Sequence, residues 1–266
     1  MEHTRLVGAG ELQPGTAALV ARHSNRTIGI LALALVGWLF LVWLTIDMGH
    51  PVAQLTMPAS PQWRAANVLA IWFMWSIMMA AMMLPSAMPM ILSFVHLAAC
   101  SADRARASSF TAAYLAVWFG FSAGATAAQW MFQLMGWVNP MIVSTSPTLT
   151  GVLLLIAGIY QFSPLKHTCL SRCRSPLGFL LGEWRPGAHG AFVMGLRHGL
   201  FCLGCCWALM ALLFVGGVMN LAWIAALAIA VALEKLVPRG EGLAAALGLV
   251  LIGIGCIKLL ALSGAA

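Results

Sequence analysis

Long uninterrupted apolar runs recur along most of the chain. About 20 consecutive apolar residues are needed for an α-helix to span a bilayer, and seven runs reach or approach that length. They lie at 29–46, 68–95, 110–135, 148–163, 190–219, 221–237 and 242–262. Because the runs are continuous rather than alternating, a transmembrane β-barrel is excluded. The pattern predicts an all-α, polytopic transmembrane helical bundle with about seven spans.

The composition supports a lipid environment. Of the 266 residues, 62% are hydrophobic and 8% are charged, whereas an ordinary soluble domain carries about 25% charged residues. We predict one integral membrane domain over residues 29–262, after a cytoplasmic N-terminal tail at 1–28. No basic stripe with interleaved aromatic residues indicates nucleic-acid binding. No Walker A sequence is present, which argues against an ATP-driven pump.

The basic residues predict an orientation. In a seven-span scheme, 12 of the 14 Lys and Arg residues lie on the side of the N-terminus, and only Arg64 and Lys258 lie on the other. Loops rich in Lys and Arg stay in the cytoplasm. We therefore expect the N-terminus inside and the C-terminus outside, in a bacterial-type cytoplasmic (inner) membrane.

The fifth run contains an unusual group of thiols, in "HGLFCLGCCWALM" (198–210). His198, Cys202 and Cys206 are four residues apart and share one helix face, with Cys205 beside them. Three soft sulfurs and an imidazole suit Cu(I), Zn(II) or another thiophilic ion. The alternative is packing, because free cysteine behaves as a small hydrophobe. The run is too long for one plain span, so we expect a break near 195–199.

A second group lies in "PLKHTCLSRCRSP" (164–176), inside a predicted cytoplasmic loop at 164–189. It contains His167, Cys169 and Cys173. Nearby cationic side chains favour the thiolate form, which binds metals, and a reducing compartment keeps thiols unpaired. The two groups form either one composite site or two sites that exchange an ion. Incidental loop cysteines are the alternative.

The second run is rich in methionine, in "MWSIMMAAMMLPSAMPM" (74–90). Thioethers prefer Cu(I) over Zn(II), and helical spacing makes this run a candidate metal relay toward the cysteines. Methionine also fills gaps in ordinary packing, which is the alternative. Pro85 and Pro89 should kink or open the helix. The candidate relay residues are Met74, Met78, Met79, Met82 and Met83.

Three segments together resemble a family of predicted metal-binding integral membrane proteins, a domain of unknown function whose members are sometimes labelled copper-chaperone-like. They are "MWSIMMAAMMLPS" (74–86), "HTCLSRCRSPLGFL" (167–180) and "GLRHGLFCLGCCWALM" (195–210). The resemblance covers most of 68–260 and implies metal binding, with copper the suggested ion and no enzymatic reaction. The metal ligands it implies are Cys169, Cys173, Cys202, Cys205 and Cys206. The inclusion of His167 and His198 rests on spacing alone.

The leading hypothesis is a membrane protein that handles Cu(I), with Zn(II) as the other candidate ion. The expected partners are the metal ion, the lipid bilayer, and a soluble metal carrier or a membrane metalloprotein client. One alternative is a membrane thiol–disulfide oxidoreductase, suggested by the adjacent thiols. Another is a structural or transport subunit in which the sulfurs only pack. The sequence does not predict the oligomeric state.

Overall fold

A computed structural model describes residues 24–98, 104–238 and 240–263. Within these ranges the chain is helical, and its one β contact is an isolated bridge between Val138 and Ser144. The all-α prediction is therefore confirmed for the described residues. Most of the predicted tail at 1–28 lies outside them. The helices in chain order are α1 (Ser24–Ile46), α2 (Pro51–Thr56), α3 (Ala65–Ala98), α4 (Arg104–Leu134), α5 (Pro147–Tyr160), α6 (Pro164–Arg174), α7 (Pro176–Gly182), α8 (Gly187–Ala211), α9 (Leu213–Gly216), α10 (Leu221–Leu236) and α11 (Gly240–Ser263).

Five of the described helical segments are long and apolar enough to cross a membrane. They are α1, α3, most of α4, α8 together with α9, and most of α11. The bent pair α5 and α6, which meet at 64°, raises this number to six when it is taken as one broken span. The remaining predicted span corresponds to α10. This helix has 16 residues, which is shorter than the roughly 20 residues that a span needs. The chain is therefore a helical protein in which several helices are long and apolar enough to span a membrane.

Helix α3 lies at the centre of the packing. It contacts α1 on one side, α4 on another and α10 on a third. The side chains of Met74, Trp75, Met78 and Met79 are all at most 1% exposed. The helix continues through Pro85 and Pro89. Lipid does not hydrogen-bond to backbone groups, and the carbonyl of Met83 in this region accepts from the hydroxyls of Ser86 and Tyr114.

Helices α4 and α8 share the most extensive contact among the described helices, and two glycines on α8 lie in it. A Cβ atom on Gly195 would collide with the carbonyl oxygen of Phe110 on α4, and one on Gly199 would lie 2.8 Å from Val117. The predicted break at 195–199 is wrong, because α8 is continuous from Gly187 to Ala211. The two glycines instead allow α4 and α8 to pack closely, as small residues often do between membrane helices.

The segment predicted as a loop at 164–189 is largely helical. Ser163 caps α6 by accepting from the backbone N–H of Lys166, and Pro164 occupies the first turn. Both residue types favour helix starts. A second proline, Pro176, begins α7. The consequence is that Cys169 and Cys173 are four residues apart on one helix and not on a mobile connection.

The α4–α8 contact predicts a position-specific effect on stability. Gly195→Ala should destabilise the protein by about 1–3 kcal/mol, because the methyl group forces two backbones apart. Gly124→Ala on α4 is the matched control, since a Cβ there meets nothing within 4 Å. Thermal unfolding in detergent measures both, and equal midpoints for the two variants would contradict this account of the contact.

Candidate functional site

Four sulfurs from two helices meet in the interior and form what we call the thiol cluster: Cys173, Cys202, Cys205 and Cys206. The thiols of Cys205 and Cys206 reach back to the backbone of Cys202, and Cys173 on α6 packs against the same buried core. The three α8 cysteines are each 1% exposed, whereas Cys173 on α6 is partly buried at the edge. Helical spacing explains the α8 members, because positions 202 and 206 share a face. The cluster therefore has a buried interior and one more accessible thiol.

The fifth predicted cysteine, Cys169, lies beside the cluster. It is 6% exposed and one turn before Cys173 on the buried face of α6. A Cβ on Gly204 would lie 2.7 Å from its sulfur, so this glycine leaves room for the thiol against α8. The two cysteine groups of the sequence are thus brought together at one place.

Cys202 is the most heavily contacted of the sulfurs. Its Sγ lies 3.2 Å from the hydroxyl of Tyr114 and 3.0 Å from the Nζ of Lys235. The same Nζ donates to the hydroxyl of Ser86 at 3.1 Å. These contacts join α3, α4, α8 and α10 around a single sulfur atom.

Lys235 is 7% exposed and lies among apolar helices. A buried ammonium is costly unless it is paired. Within the described residues the salt bridges are Lys166–Glu234 and Arg197–Glu183, so no carboxylate pairs with Lys235. The nearest group able to carry a balancing charge is Cys202 in its thiolate form.

A second buried charge pair lies next to this contact. Lys166 Nζ is 2.7 Å from a carboxylate oxygen of Glu234, and both residues are at most 2% exposed. Lys166 also donates to the side-chain oxygen of Gln161. The pair ties α6, which carries Cys173, to the last turn of α10, which carries Lys235.

His198 is buried beside the cluster without a hydrogen-bond partner. It is 2% exposed, and neither ring nitrogen has a partner among the described residues. Its ring packs against the rings of Phe110, Tyr114 and Phe179, with centroids 5.4–6.0 Å away. Buried polar atoms are normally satisfied, so this imidazole has unused capacity to bind a ligand.

His167 is exposed, and the structure does not bring it to the thiol cluster. The reason is that its segment is helical. Lys166, Cys169 and Leu170 form the buried face of α6, and adjacent helix positions are about 100° apart. The structure thus places His167 on the exposed side of α6, apart from the buried face that carries Cys169.

The five candidate relay methionines are all buried. Met74, Met78 and Met82 are at most 3% exposed, as are Met79 and Met83. The spacing of the first three continues, after four more residues, to Ser86, whose hydroxyl accepts from Lys235. One face of α3 thus leads to the thiol cluster, although burial alone is equally expected of methionines that only pack.

The cluster is not arranged as a finished metal site. Among the described residues, no group of three or more His, Cys, Asp or Glu side chains has a metal-binding arrangement. The thiols of Cys205 and Cys206 instead donate back to the carbonyl oxygen of Cys202, at 3.1 and 2.9 Å. The donor types fit a soft cation, but these two side chains must rotate before their sulfurs converge on one.

Sequence reasoning did not assign the polar residues around the sulfurs to the site. Lys235 and Glu234 were available as a signal, because ionisable residues in membrane helices are rare and usually functional or paired. Tyr114 and Ser86 gave no such signal. They resemble the many other polar residues of their helices until the bundle places them beside Cys202 and Lys235.

Comparison with known protein families gives a match that covers most of the chain. The model of a family named PpoB2 and described as a copper chaperone matches residues 72–258. This range includes most of the central helix α3 and every residue of the thiol cluster. No curated protein and no solved structure matches the chain.

The buried charge pair predicts that removing one partner destabilises the protein much more than removing both. Lys166→Met should destabilise the protein by about 3–5 kcal/mol, because it leaves the carboxylate of Glu234 buried and unpaired. Adding Glu234→Leu should restore much of this loss. Arg197→Met is the control, since its pair with Glu183 is exposed and should contribute about 0–1 kcal/mol. Thermal unfolding in detergent compares the three, and a double variant less stable than Lys166→Met would contradict the pairing.

Proposed function

Because the chain belongs to the PpoB2 family of copper chaperones, we propose that it is a membrane protein that holds Cu(I) on its thiol cluster for delivery, storage or transfer. The observation that carries the proposal is the grouping of three buried cysteines on α8, Cys202, Cys205 and Cys206, with the partly buried Cys173 on α6. Thiolates select Cu(I) and Zn(II) over hard ions, and thioethers add to the preference for Cu(I).

The charges around Cys202 favour a monovalent ion. Two thiolates and one Cu(I) carry a net charge of −1, and the ammonium of Lys235 at 3.0 Å balances it. With Zn(II) in its place the same set would carry +1 in an apolar surrounding, where unbalanced charge is costly. Lys235 is thus suited to make the cluster selective for Cu(I).

Loading requires a local rearrangement. The thiols of Cys205 and Cys206 leave the carbonyl of Cys202 and turn toward the ion, which needs only side-chain rotation. His198, with no other partner, is the fifth candidate donor, and Cys169 lies close enough to join in exchange. His167 takes no part in this proposal.

The topology completes the proposal. The five spanning segments, the bent pair α5–α6 and the short helix α10 together give seven spans, with the N-terminus in the cytoplasm and the C-terminus outside. Arg106, Lys166 and Lys235 are buried and cannot be counted as loop charges. Nine of the remaining 11 basic residues still lie on the cytoplasmic side of this scheme, as the positive-inside rule requires. The membrane is a bacterial-type inner membrane.

In this scheme the cluster lies on the cytoplasmic side, and its thiols determine which partners can exchange Cu(I) with it. A soluble thiol-containing carrier exchanges Cu(I) with the cluster, or a membrane metalloprotein receives it. Cys173, partly buried on the short helix α6, is the thiol at which exchange begins. The protein carries out no catalysis in this scheme.

The central test is metal binding by the purified protein. Under anaerobic conditions in detergent, Cu(I) titrated against a competing chelator should bind tightly, and Zn(II) more weakly. Changing both Cys202 and Cys206 to serine should weaken Cu(I) binding by more than about 100-fold, because loss of even an outer-shell partner costs roughly 10–100-fold.

Two matched controls accompany this test. Cys256→Ser removes an exposed thiol on α11, and His167→Ala removes an exposed imidazole on α6. Both variants should bind Cu(I) as the wild type does. Equal affinity in the double serine variant would place the site elsewhere. A wild type that binds neither ion but forms a reversible disulfide would favour thiol–disulfide exchange.

The topology has its own test. A fluorescent protein that matures only in the cytoplasm should be bright when fused to the N-terminus and dark when fused to the C-terminus. Alkaline phosphatase, active only outside, should show the opposite pattern. Two bright fluorescent fusions would mean an even number of spans and contradict the seven-span scheme.

A further inference from the structure

We propose that Cu(I) reaches the thiol cluster as an anionic complex with two small thiols, and that Arg172 and Arg174 receive this complex at Cys173. This inference rests on the proposed function, since it concerns how the same cluster is loaded. It assigns a ligand-binding role to two arginines and to the cavity beside them. We call Cys173, the two arginines and that cavity the loading site.

Exposure makes Cys173 the entrance to the cluster. The cysteines on α8, Cys202, Cys205 and Cys206, are each 1% exposed, and Cys169 on α6 is 6% exposed. Cys173 is only partly buried and packs at the edge of the core. An arriving ion therefore meets the sulfur of Cys173 before any other sulfur of the cluster.

The two arginines lie on either side of this entrance. Adjacent positions on a helix are about 100° apart, so Arg172 and Arg174 flank Cys173 around the axis of α6. The guanidinium of Arg172 lies over the ring of Phe201, 6.0 Å from its centroid. Phe201 directly precedes Cys202 on α8, so this cation–π contact holds one positive charge beside the buried sulfurs.

The second guanidinium is held at the end of α10. Arg174 donates to the backbone carbonyls of Val237 and Pro238, at 2.8 and 2.5 Å, and its five N–H donors leave others for a ligand. Within the described residues, no salt bridge neutralises either arginine. The positive-inside rule requires basic residues on this side of a membrane, but it does not require them to be anchored beside the entrance thiol.

A cavity beside Arg174 offers room for a small ligand. Its volume is about 590 Å³, within the range of about 300–1,000 Å³ that is usual for small-molecule sites. A folded carrier protein could not enter a space of this size, so the structure favours a small thiol complex. The cavity is lined by two hydroxyls, a guanidinium and a carboxylate together with a proline and a glycine: Ser171, Ser175, Arg174, Glu241, Pro238 and Gly242.

The charges at the loading site complement those of such a complex. Cu(I) held by two thiolates carries a net charge of −1. Arg172 and Arg174 contribute two positive charges and Glu241 one negative charge, which leaves a formal net charge of +1. Opposite charges raise the rate at which a ligand finds its site, and guanidinium groups form strong hydrogen bonds to anionic ligands.

Transfer to Cys173 is a ligand exchange. The sulfur of Cys173 forms a bond with Cu(I), and the bond from Cu(I) to one small thiolate breaks. The proton of the Cys173 thiol passes to the leaving thiolate, so the charge of the complex is unchanged and no electron is transferred. The ion then moves to the buried sulfurs by the same kind of exchange.

The test compares Cu(I) uptake from two small-thiol complexes of opposite charge. The full chain is immobilised in neutral detergent without oxygen, and the copper that it retains is measured at fixed times after mixing. Glutathione gives a Cu(I) complex that is anionic overall, and cysteamine gives a cationic one. Wild type should take up Cu(I) about tenfold faster from the glutathione complex, and added salt should reduce this preference because it screens the charges.

Variants of the two arginines test their role. Changing both Arg172 and Arg174 to glutamine should slow uptake from the glutathione complex about tenfold and leave uptake from the cysteamine complex unchanged. The equilibrium affinity for Cu(I) should stay that of the wild type, because neither arginine binds the ion. Changing both to lysine should keep most of the rate, since the charge remains. Arg172→Gln alone, at an exposed position, should slow uptake about threefold and serves as the test where the loss of Arg174 impairs folding.

Arg64→Gln is the matched control. Arg64 is exposed and directly precedes α3. It lies about 33 Å along that helix from Ser86, the residue that contacts Lys235. This variant should take up Cu(I) from both complexes at the wild-type rates.

The rates and the equilibrium titration distinguish the two proposals. Tight Cu(I) binding with equal uptake from both complexes overturns the loading site and leaves the proposed function in place. A double glutamine variant that keeps the wild-type preference has the same meaning. A double lysine variant as slow as the glutamine one overturns recognition by charge. A wild type that binds no Cu(I) overturns both proposals.

Discussion

The pairing of buried charges is the constraint on which the rest of the interior depends. Lys166, Glu234 and Lys235 all lie inside a bundle of apolar helices, where an unpaired charge is far more costly than at a protein surface. Each must keep its partner for the fold to be stable. The partners come from distant parts of the chain, so the need to satisfy three charges fixes where α3, α6, α8 and α10 lie. Hydrophobic contacts alone discriminate weakly between helix arrangements in lipid, because the tails are as apolar as the side chains.

The same constraint gives the thiol cluster its chemical character. A cysteine buried among aliphatic side chains would be inert, whereas Cys202 lies against an ammonium and a phenol hydroxyl. The surrounding helices exclude bulk water, and the thiols are held by short-range contacts within α8. The cluster combines a strongly polarised sulfur with neighbours that rotate easily. This combination suits a site that must take up an ion and also release it.

Much of the fold follows from the sequence, because the apolar runs are long and their ends carry clear signals. The predicted first span ends at residue 46, as α1 does, and the shared face of Cys202 and Cys206 follows from helical spacing. The helix at 164–174 was missed because its composition is polar, although Ser163 and Pro164 mark its start. The contact of Tyr114 with Cys202 joins residues 88 positions apart. No local pattern encodes such a pair, and it becomes visible only when α4 and α8 approach through Gly195.

The last turn of α10 has a mechanical consequence. Glu234 and Lys235 are neighbours in sequence, about 100° apart around the helix axis, and they hold different elements. Glu234 holds α6 through Lys166, and Lys235 holds Cys202 and Ser86. Any tilt or rotation of this turn displaces both attachments together. A movement of the last turn of α10 would therefore shift α6, which carries Cys173, and the sulfur of Cys202 at the same time.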